Sequence, residues 1–283
     1  MAVNSPMNWP NQANCAAMIT VNLDAEFFWL SLAPDSINRP KTLSMGQYGM
    51  DRGLDRMLDA FDRFGVKATF FVPGRTAEAY PEKVREVARR GHEIAHHGYA
   101  HEHFAKLPAE EQREAIERGI RALEDVCGVR PAGFRAPEGE LTRETLRLLR
   151  DFGFEYSSSM FGDDRPYMTQ IDGQLTDLVE IPIHWELNDF PYFAFNYSPA
   201  FPSGQGRIAN YTQVLNIWKE EFKGYYKFGL HYVMQFDPQT IGTPGRIALL
   251  ENLLSHMTTM GGVWFCTGSE MAEFWRTKRS GNG

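Results

Sequence analysis

Short apolar strand signals alternate with amphipathic helix signals along nearly the whole chain. Residues 16–23, 67–72 and 229–236 are among the strand signals, and residues 108–126 carry the clearest helix signal, with apolar residues at helical spacing. The alternation predicts an α/β fold with a parallel sheet, because each crossover between parallel strands needs a helix-length connection. No linker interrupts it, so residues 1–283 are predicted to form a single-domain distorted (β/α) barrel with about seven strands.

Two long segments do not follow this pattern. Residues 27–47 and 188–209 are rich in aromatic residues and proline and have no clear hydrophobic period. Connections of this length are uncommon unless they have a function. We therefore predict that both segments are loops folded over a site.

The composition excludes several classes of partner. Lys and Arg number 29 against 36 Asp and Glu, a formal net charge of −7, and no basic cluster offers a surface for nucleic acid. No apolar run reaches the roughly 18 residues that cross a membrane, and residues 1–14 lack the pattern of a signal peptide. The three cysteines are far apart and give no disulfide framework. We expect a cytoplasmic protein with a small-molecule substrate, and a homo-oligomer stays open.

Candidate site residues follow the strand signals, where the chemistry of a barrel lies. Asp24 ends the first strand signal, and a carboxylate buried there is costly unless it is paired or holds a cation. A solvated loop acid is the alternative for Asp24. Five of the eight histidines lie within residues 92–103. Of these, His97 and His101 are four residues apart and can meet one metal ion if their turn is helical.

One aspartate and two histidines make a three-ligand site with an open position. Such a site is catalytic in style, because a structural zinc site is closed by four protein ligands. Imidazole suits borderline divalent ions, so we expect one divalent metal, Zn²⁺ first, with Mn²⁺, Co²⁺ or Fe²⁺ as alternatives. A metal ion of this kind acidifies water and polarises a carbonyl, which predicts hydrolysis of an amide or ester.

Three more positions at strand ends are candidates. Arg135 follows a strand signal and is able to orient a ligand carboxylate. Asp237 lies directly before Pro238, and an ordinary Asp-Pro turn is its alternative. Trp185 is a candidate pocket wall, with a place in the core as an equal alternative.

Together these residues resemble the polysaccharide deacetylases, carbohydrate esterase family 4, over nearly the whole chain. Asp24 corresponds to the first motif, His97 and His101 to the second, and Arg135-Ala136-Pro137 to the third, with Gly242-x-Pro244-x-Arg246 after the last catalytic strand. The resemblance implies a distorted barrel and an Asp-His-His metal triad, here Asp24, His97 and His101. The chain is most similar to a cytosolic branch that holds peptidoglycan-deacetylase-like proteins, allantoinase-like proteins and cyclic imide hydrolases.

The chain departs from the family pattern at two positions. The family usually has an acid, acting as base, two residues before the metal aspartate, where this chain has Asn22. It usually has a histidine, acting as acid, where this chain has Asp237. An amide cannot accept a proton, so Asp237 becomes the first candidate to move protons, with Glu26 second and Arg135 as the third catalytic residue.

These departures predict a hydrolase that opens small cyclic imides or amides. The nitrogen of a cyclic imide leaves as an amide anion, which is a better leaving group than an amine. Ring opening therefore needs less help from a general acid. Phe27, Trp29, Pro137 and Trp185 are predicted to bind the substrate in a small aromatic pocket. The alternative is a de-N-acetylase of amino sugars or of peptidoglycan or chitin fragments, and a non-catalytic binding protein on the same scaffold is a third hypothesis.

Overall fold

The computed structural model describes residues 7–203 and 208–280. Strands and helices alternate through these residues, with short 3₁₀ turns between some of them. The strands are β1 (Cys15–Asn22), β2 (Thr69–Val72), β3 (Glu93–His96), β4 (Gly133–Phe134), β5 (Tyr156–Ser157), β6 (Tyr167–Ile171), β7 (Gln174–Glu180), β8 (Asn196–Tyr197), β9 (Ala200–Phe201), β10 (His231–Phe236) and β11 (Val263–Phe265).

Helices fill the connections between the strands. They are α1 (Phe27–Leu32), α2 (Pro40–Tyr48), α3 (Leu54–Phe64), α4 (Gly74–Ala79), α5 (Pro81–Arg89), α6 (Ala109–Cys127), α7 (Arg143–Asp151), α8 (Phe190–Phe193), α9 (Tyr211–Phe228), α10 (Pro238–Ile241), α11 (Ile247–Met260) and α12 (Gly268–Ser280). In the described part of the chain, none of them is both long and apolar enough to cross a bilayer.

The main sheet curls into part of a barrel and confirms the predicted α/β barrel class. Among the described residues it has nine strands, eight of them in the order β10–β1–β2–β3–β4–β5–β7–β6, with β11 also beside β1. All pairs are parallel except β6 with β7. The predicted number of about seven is too low, chiefly because β6 was not predicted. Asp172 and Gly173 both have positive φ and close the β6–β7 hairpin. An Asp-Gly pair is a common hairpin turn.

The central strand β1 is buried on both faces, as expected of a strand in a parallel sheet. Ala17, Ile19 and Val21 join the apolar core beneath the surrounding helices. Ala16 and Met18 belong to a second apolar cluster inside the curl of the sheet. Strand alternation carries this inner face on to Thr20 and Asn22, so the end of β1 presents polar groups inside the barrel.

The two segments predicted as loops contain regular structure. Residues 27–47 are mostly helical, in α1 and α2, and residues 188–209 hold α8 and the β8–β9 hairpin. Residues 204–207 of the second segment lie outside the described residues. The helices were missed because α1 buries three consecutive aromatic residues, Phe27, Phe28 and Trp29, so its sequence shows no polar face.

Candidate active site

A cavity of about 310 Å³ opens at the carboxyl ends of the strands. Polar groups from β1, β10 and the loops after β3 and β4 lie together at one end of it, and apolar side chains surround the rest. Its lining includes Asn22, Asp24, His97, His101, Arg135, Asn188, Gln235 and Asp237, together with Phe28, Phe161, Ile183, Trp185, Phe190 and Phe201.

The three predicted metal ligands meet in this cavity. Nε2 of His97 lies 3.5 Å from Oδ1 of Asp24, and Nε2 of His101 lies 3.4 Å from Oδ2 of Asp24. One ligand atom from each residue falls within 4.8 Å of the others, and all three side chains are buried. The structure therefore brings together the residues that the two motifs place 73 and 4 positions apart in the sequence.

This geometry fits a divalent metal ion. Zinc binds nitrogen and oxygen ligands at about 2.1 Å, and tetrahedral ligands at that distance are about 3.4 Å apart. The two nitrogen–oxygen separations agree with this value. Oδ1 of Asp24 is buried and has no hydrogen-bond partner among the described residues, which is costly for a carboxylate unless a cation binds it. The residues present can therefore hold the metal that the motif implies.

The backbone between the two histidines is not the helical turn that we predicted. Gly98 has φ +72° and His101 has φ +62°, so the chain turns through the left-handed region instead. Cβ on residue 98 would also approach Glu102 Oε2 to 2.7 Å. Glycine at position 98 allows the backbone to reverse its direction, and this turn brings His101 next to Asp24.

Hydrogen bonds orient both imidazole rings toward Asp24. Nδ1 of His97 donates to the backbone oxygen of Arg135 at 2.7 Å, which leaves the Nε2 lone pair facing the carboxylate. The Ser31 hydroxyl donates to the backbone oxygen of Phe28, so it accepts from Nδ1 of His101 at 3.0 Å. Burial lowers the pKa of His97 to about 4, which keeps its ring neutral and able to bind a metal.

Removing the Ser31 hydroxyl should weaken metal binding without removing a ligand. In Ser31→Ala, His101 loses the acceptor that fixes its tautomer, and such partners are typically worth about 10–100-fold in metal affinity. Competition with a chelating dye measures the change. Ser44→Ala is the matched control, since the Ser44 hydroxyl bonds only to the backbone of Lys41. Equal affinity in Ser31→Ala and the wild type would contradict this role.

Asp237 lies at the end of β10 beside the buried Asp189, to which the sequence assigned no role. The Asp237 backbone N–H donates to Oδ1 of Asp189 at 3.0 Å, whereas Oδ2 of each carboxyl is buried and has no hydrogen-bond partner among the described residues. A bridge between Asn188 and Gln235 holds the two segments side by side. Burial raises the pKa of both carboxyls well above the usual range, and for Asp237 the charge of Asp189 raises it further. The raised pKa values favour the protonated form of each carboxyl, so the pair is a candidate to donate and accept protons.

Arg135 does not point freely into the cavity to meet a ligand carboxylate. Its guanidinium is buried and donates to the backbone oxygen and hydroxyl of Ser158, to Oγ1 of Thr20 and to Oδ1 of Asn22. It also stacks 4.0 Å from the ring centre of Phe71. Burial lowers its pKa to about 9, so it stays charged at neutral pH. Arg135 lines the cavity and contacts Asn22, and its catalytic role stays a prediction.

The structure places four predicted residues outside the lining of this cavity, and their roles in catalysis and substrate binding stay predictions. Glu26 accepts a hydrogen bond from the Tyr80 hydroxyl. Phe27 belongs to the apolar core, and Trp29 packs edge-on against Phe28 and Phe201. Pro137 is buried.

The helical form of α1 explains the change among its aromatic residues. Each helical residue turns by about 100°, so neighbours in the sequence face different directions. Phe28, which was not predicted, lies in the cavity, whereas Phe27 and Trp29 do not. Trp185 does line the cavity and is 63% exposed at its mouth.

Comparisons with known proteins show which family the chain is similar to. The family profile for polysaccharide deacetylase matches residues 47–157. The peptidoglycan deacetylase of Helicobacter pylori is 27% identical over 277 residues, which cover 89% of this chain and 93% of that protein. A crystal structure from Mycobacterium smegmatis, of a protein classed with the polysaccharide deacetylases, is 37% identical with a TM-score of 0.91 over 97% of this chain and 94% of that one.

A more distant structure shares the fold alone. The allantoinase PuuE is 22% identical and superposes with a TM-score of 0.81 over 96% of this chain and 94% of its own. This similarity shows the fold and carries no substrate over to the chain.

Proposed function

The chain belongs to the polysaccharide deacetylase family of C–N hydrolases, and we propose that it removes N-acetyl groups from amino sugars with a divalent metal ion bound by Asp24, His97 and His101. The observation that carries the proposal is the meeting of these three side chains within 4.8 Å at one end of the cavity. The likeness to a peptidoglycan deacetylase along almost its whole length supports an acetylated sugar as the substrate class.

The mouth of the cavity also suits a sugar. Trp185 is 63% exposed and Phe161 is 50% exposed, and both rings line the opening. Large exposed aromatic rings beside a cavity commonly mark a binding surface. Their flat apolar faces match the C–H face of a sugar ring. The acetyl group would then enter the cavity while the sugar stays at the mouth.

The residues divide the chemistry between a metal site and a pair of carboxyl groups. A divalent ion bound by Asp24, His97 and His101 would acidify water and polarise the acetyl carbonyl. The unprotonated carboxylate of the Asp237–Asp189 pair takes a proton from the attacking water, whose oxygen bonds to the carbonyl carbon. Asp237 then gives a proton to the nitrogen as the C–N bond breaks, which releases acetate and the free amine.

A small cyclic imide or amide is the second candidate substrate. The specific observation in its favour is the aromatic wall of Phe28, Phe190 and Phe201, in which Phe28 packs edge-on against the other two rings. Such a wall suits a planar ring. Ring opening would use the same proton transfer but would release no acetate. The two candidates therefore differ in product as well as in substrate.

A substrate panel decides between these candidates. The metal-loaded protein is incubated with N-acetylated chitooligosaccharides, succinimide, dihydrouracil, hydantoin and allantoin, each with and without a chelator. We expect acetate release from the oligosaccharide that the chelator abolishes. Chelator-sensitive opening of a ring compound without acetate release establishes the second candidate, and no hydrolysis of any compound contradicts both.

Truncating Trp185 should weaken binding of the sugar more than it slows the chemistry. In Trp185→Ala we expect KM for the oligosaccharide to rise about tenfold with kcat nearly unchanged, the value of one aromatic contact. Steady-state kinetics measure both constants. Phe228→Ala is the control, because Phe228 is 56% exposed at the end of α9 and does not line the cavity. An unchanged KM in Trp185→Ala contradicts the stacking role.

A further inference from the structure

The orientation of the Asn22 side chain follows from its partner. Arg135 donates to Asn22 Oδ1 at 3.1 Å, and a guanidinium has no acceptor. The oxygen of the amide must therefore face Arg135, and the Nδ2 group must face the other way. Among the described residues Nδ2 has no hydrogen-bond partner, and Asn22 lines the cavity that holds the metal ligands. Two N–H donors are thus available to a bound molecule.

We propose that Asn22 donates a hydrogen bond from Nδ2 to the carbonyl oxygen of the substrate and stabilises the negative charge that develops there. This inference rests on the proposed function of the site as an amide hydrolase. Addition of water to the carbonyl carbon moves an electron pair onto that oxygen, and a fixed donor binds it more tightly in the transition state than in the substrate. Asn22 is then a catalytic residue rather than a lost base.

The buried surroundings of Arg135 make Asn22 a strong and rigid donor. Hydrogen bonds to Ser158 and Thr20 fix the guanidinium, and Phe71 covers one face of it. Its positive charge polarises the amide through Oδ1, which strengthens the N–H donors on the far side. The fixed dipole needs no reorganisation when charge develops on the substrate oxygen.

This role explains why an amide at position 22 is compatible with catalysis. A carboxylate there would pair with Arg135, neutralise its charge and leave no donor facing the cavity. Proton transfer in this chain has a separate place, at Asp237 and Asp189 near the end of β10. The end of β1 is therefore free to supply a hydrogen-bond donor instead of a base.

Two substitutions test the donor directly. Asn22→Asp keeps the shape of the side chain and removes its donors, and Asn22→Ala removes the amide altogether. We expect both to lower kcat about 10²–10³-fold, the usual effect of removing one such donor, with KM and metal content unchanged. Thermal unfolding confirms that each variant folds. Activity of Asn22→Asp at or above that of the wild type overturns the proposal and makes position 22 a place for a base.

Acetate binding gives a second readout that needs no turnover. Acetate presents its oxygens as the product of the reaction would, so calorimetric titration of the metal-loaded protein reports on the donor. We expect Asn22→Ala to bind acetate about tenfold more weakly than the wild type. Equal affinity overturns the proposal. If the wild type hydrolyses no acetylated sugar, the proposed function fails, whereas the titration still decides the role of Asn22.

Discussion

Replacing His97 or Asp24 by alanine should abolish both metal binding and hydrolysis. Each variant lacks one of the three proposed ligands. Removing a residue that only orients a ligand already lowers metal affinity or activity about 10–100-fold, so we expect the hydrolysis rate to fall on the order of 10³-fold or more. Plasma mass spectrometry of the purified variants gives the metal content per chain, and acetate release gives the rate. Both quantities should fall together, because the three proposed metal ligands also line the cavity.

His103→Ala is the control for these variants. His103 lies in the same histidine-rich segment, but it is not part of the group of side chains that can hold a metal. Its variant should keep metal and activity. A His97→Ala protein that retains wild-type metal content and rate would contradict the assignment of the ligands.

Asp237→Asn should remove activity while metal stays bound. The amide keeps the size of the side chain but cannot accept or release a proton, and a positioned acid or base is worth about 10²–10⁴-fold. Asp237 is buried, and its backbone N–H still donates to Asp189 in the variant. We therefore expect normal folding and metal content with a rate lowered by that factor.

An activated ester separates the two proton transfers of Asp237. The leaving group of 4-nitrophenyl acetate needs no proton, so Asp237→Asn should slow its hydrolysis less than that of the acetylated sugar. The ratio of the rate decrease with the sugar to the rate decrease with the ester measures how much of the effect of Asp237 comes from protonating the leaving group. Wild-type turnover of the sugar by Asp237→Asn would contradict the assignment of Asp237 as the acid and base.

The meeting of Asp24, His97 and His101 could be predicted from sequence because these residues follow strands β1 and β3. The strand signal before Asp24 and the histidines that follow β3 place the three residues at one end of a parallel sheet. The path of the backbone between His97 and His101 could not be predicted, because four-residue spacing fits a helical turn equally well. Only the left-handed Gly98 and His101 reveal the loop.

Residues that depend on long-range contacts were assigned less well. Arg135 donates to Thr20, 115 positions away, and to Asn22, and these contacts fix the direction of the guanidinium. Asp189 is held beside β10 by the bridge between Asn188 and Gln235 and by its own hydrogen bonds to Gln235 and Asp237. Neither contact has a local pattern in the sequence, so tertiary structure is needed to find it.

Metal removal and return, followed by acetate release, tests the central claim most directly. The protein is stripped with a chelator, dialysed and titrated with Zn²⁺ while release of acetate from an N-acetylated chitooligosaccharide is measured. We expect no release from the stripped protein and full recovery at about one ion per chain, as three ligands around one open position require. Undiminished acetate release from metal-free protein would contradict the account.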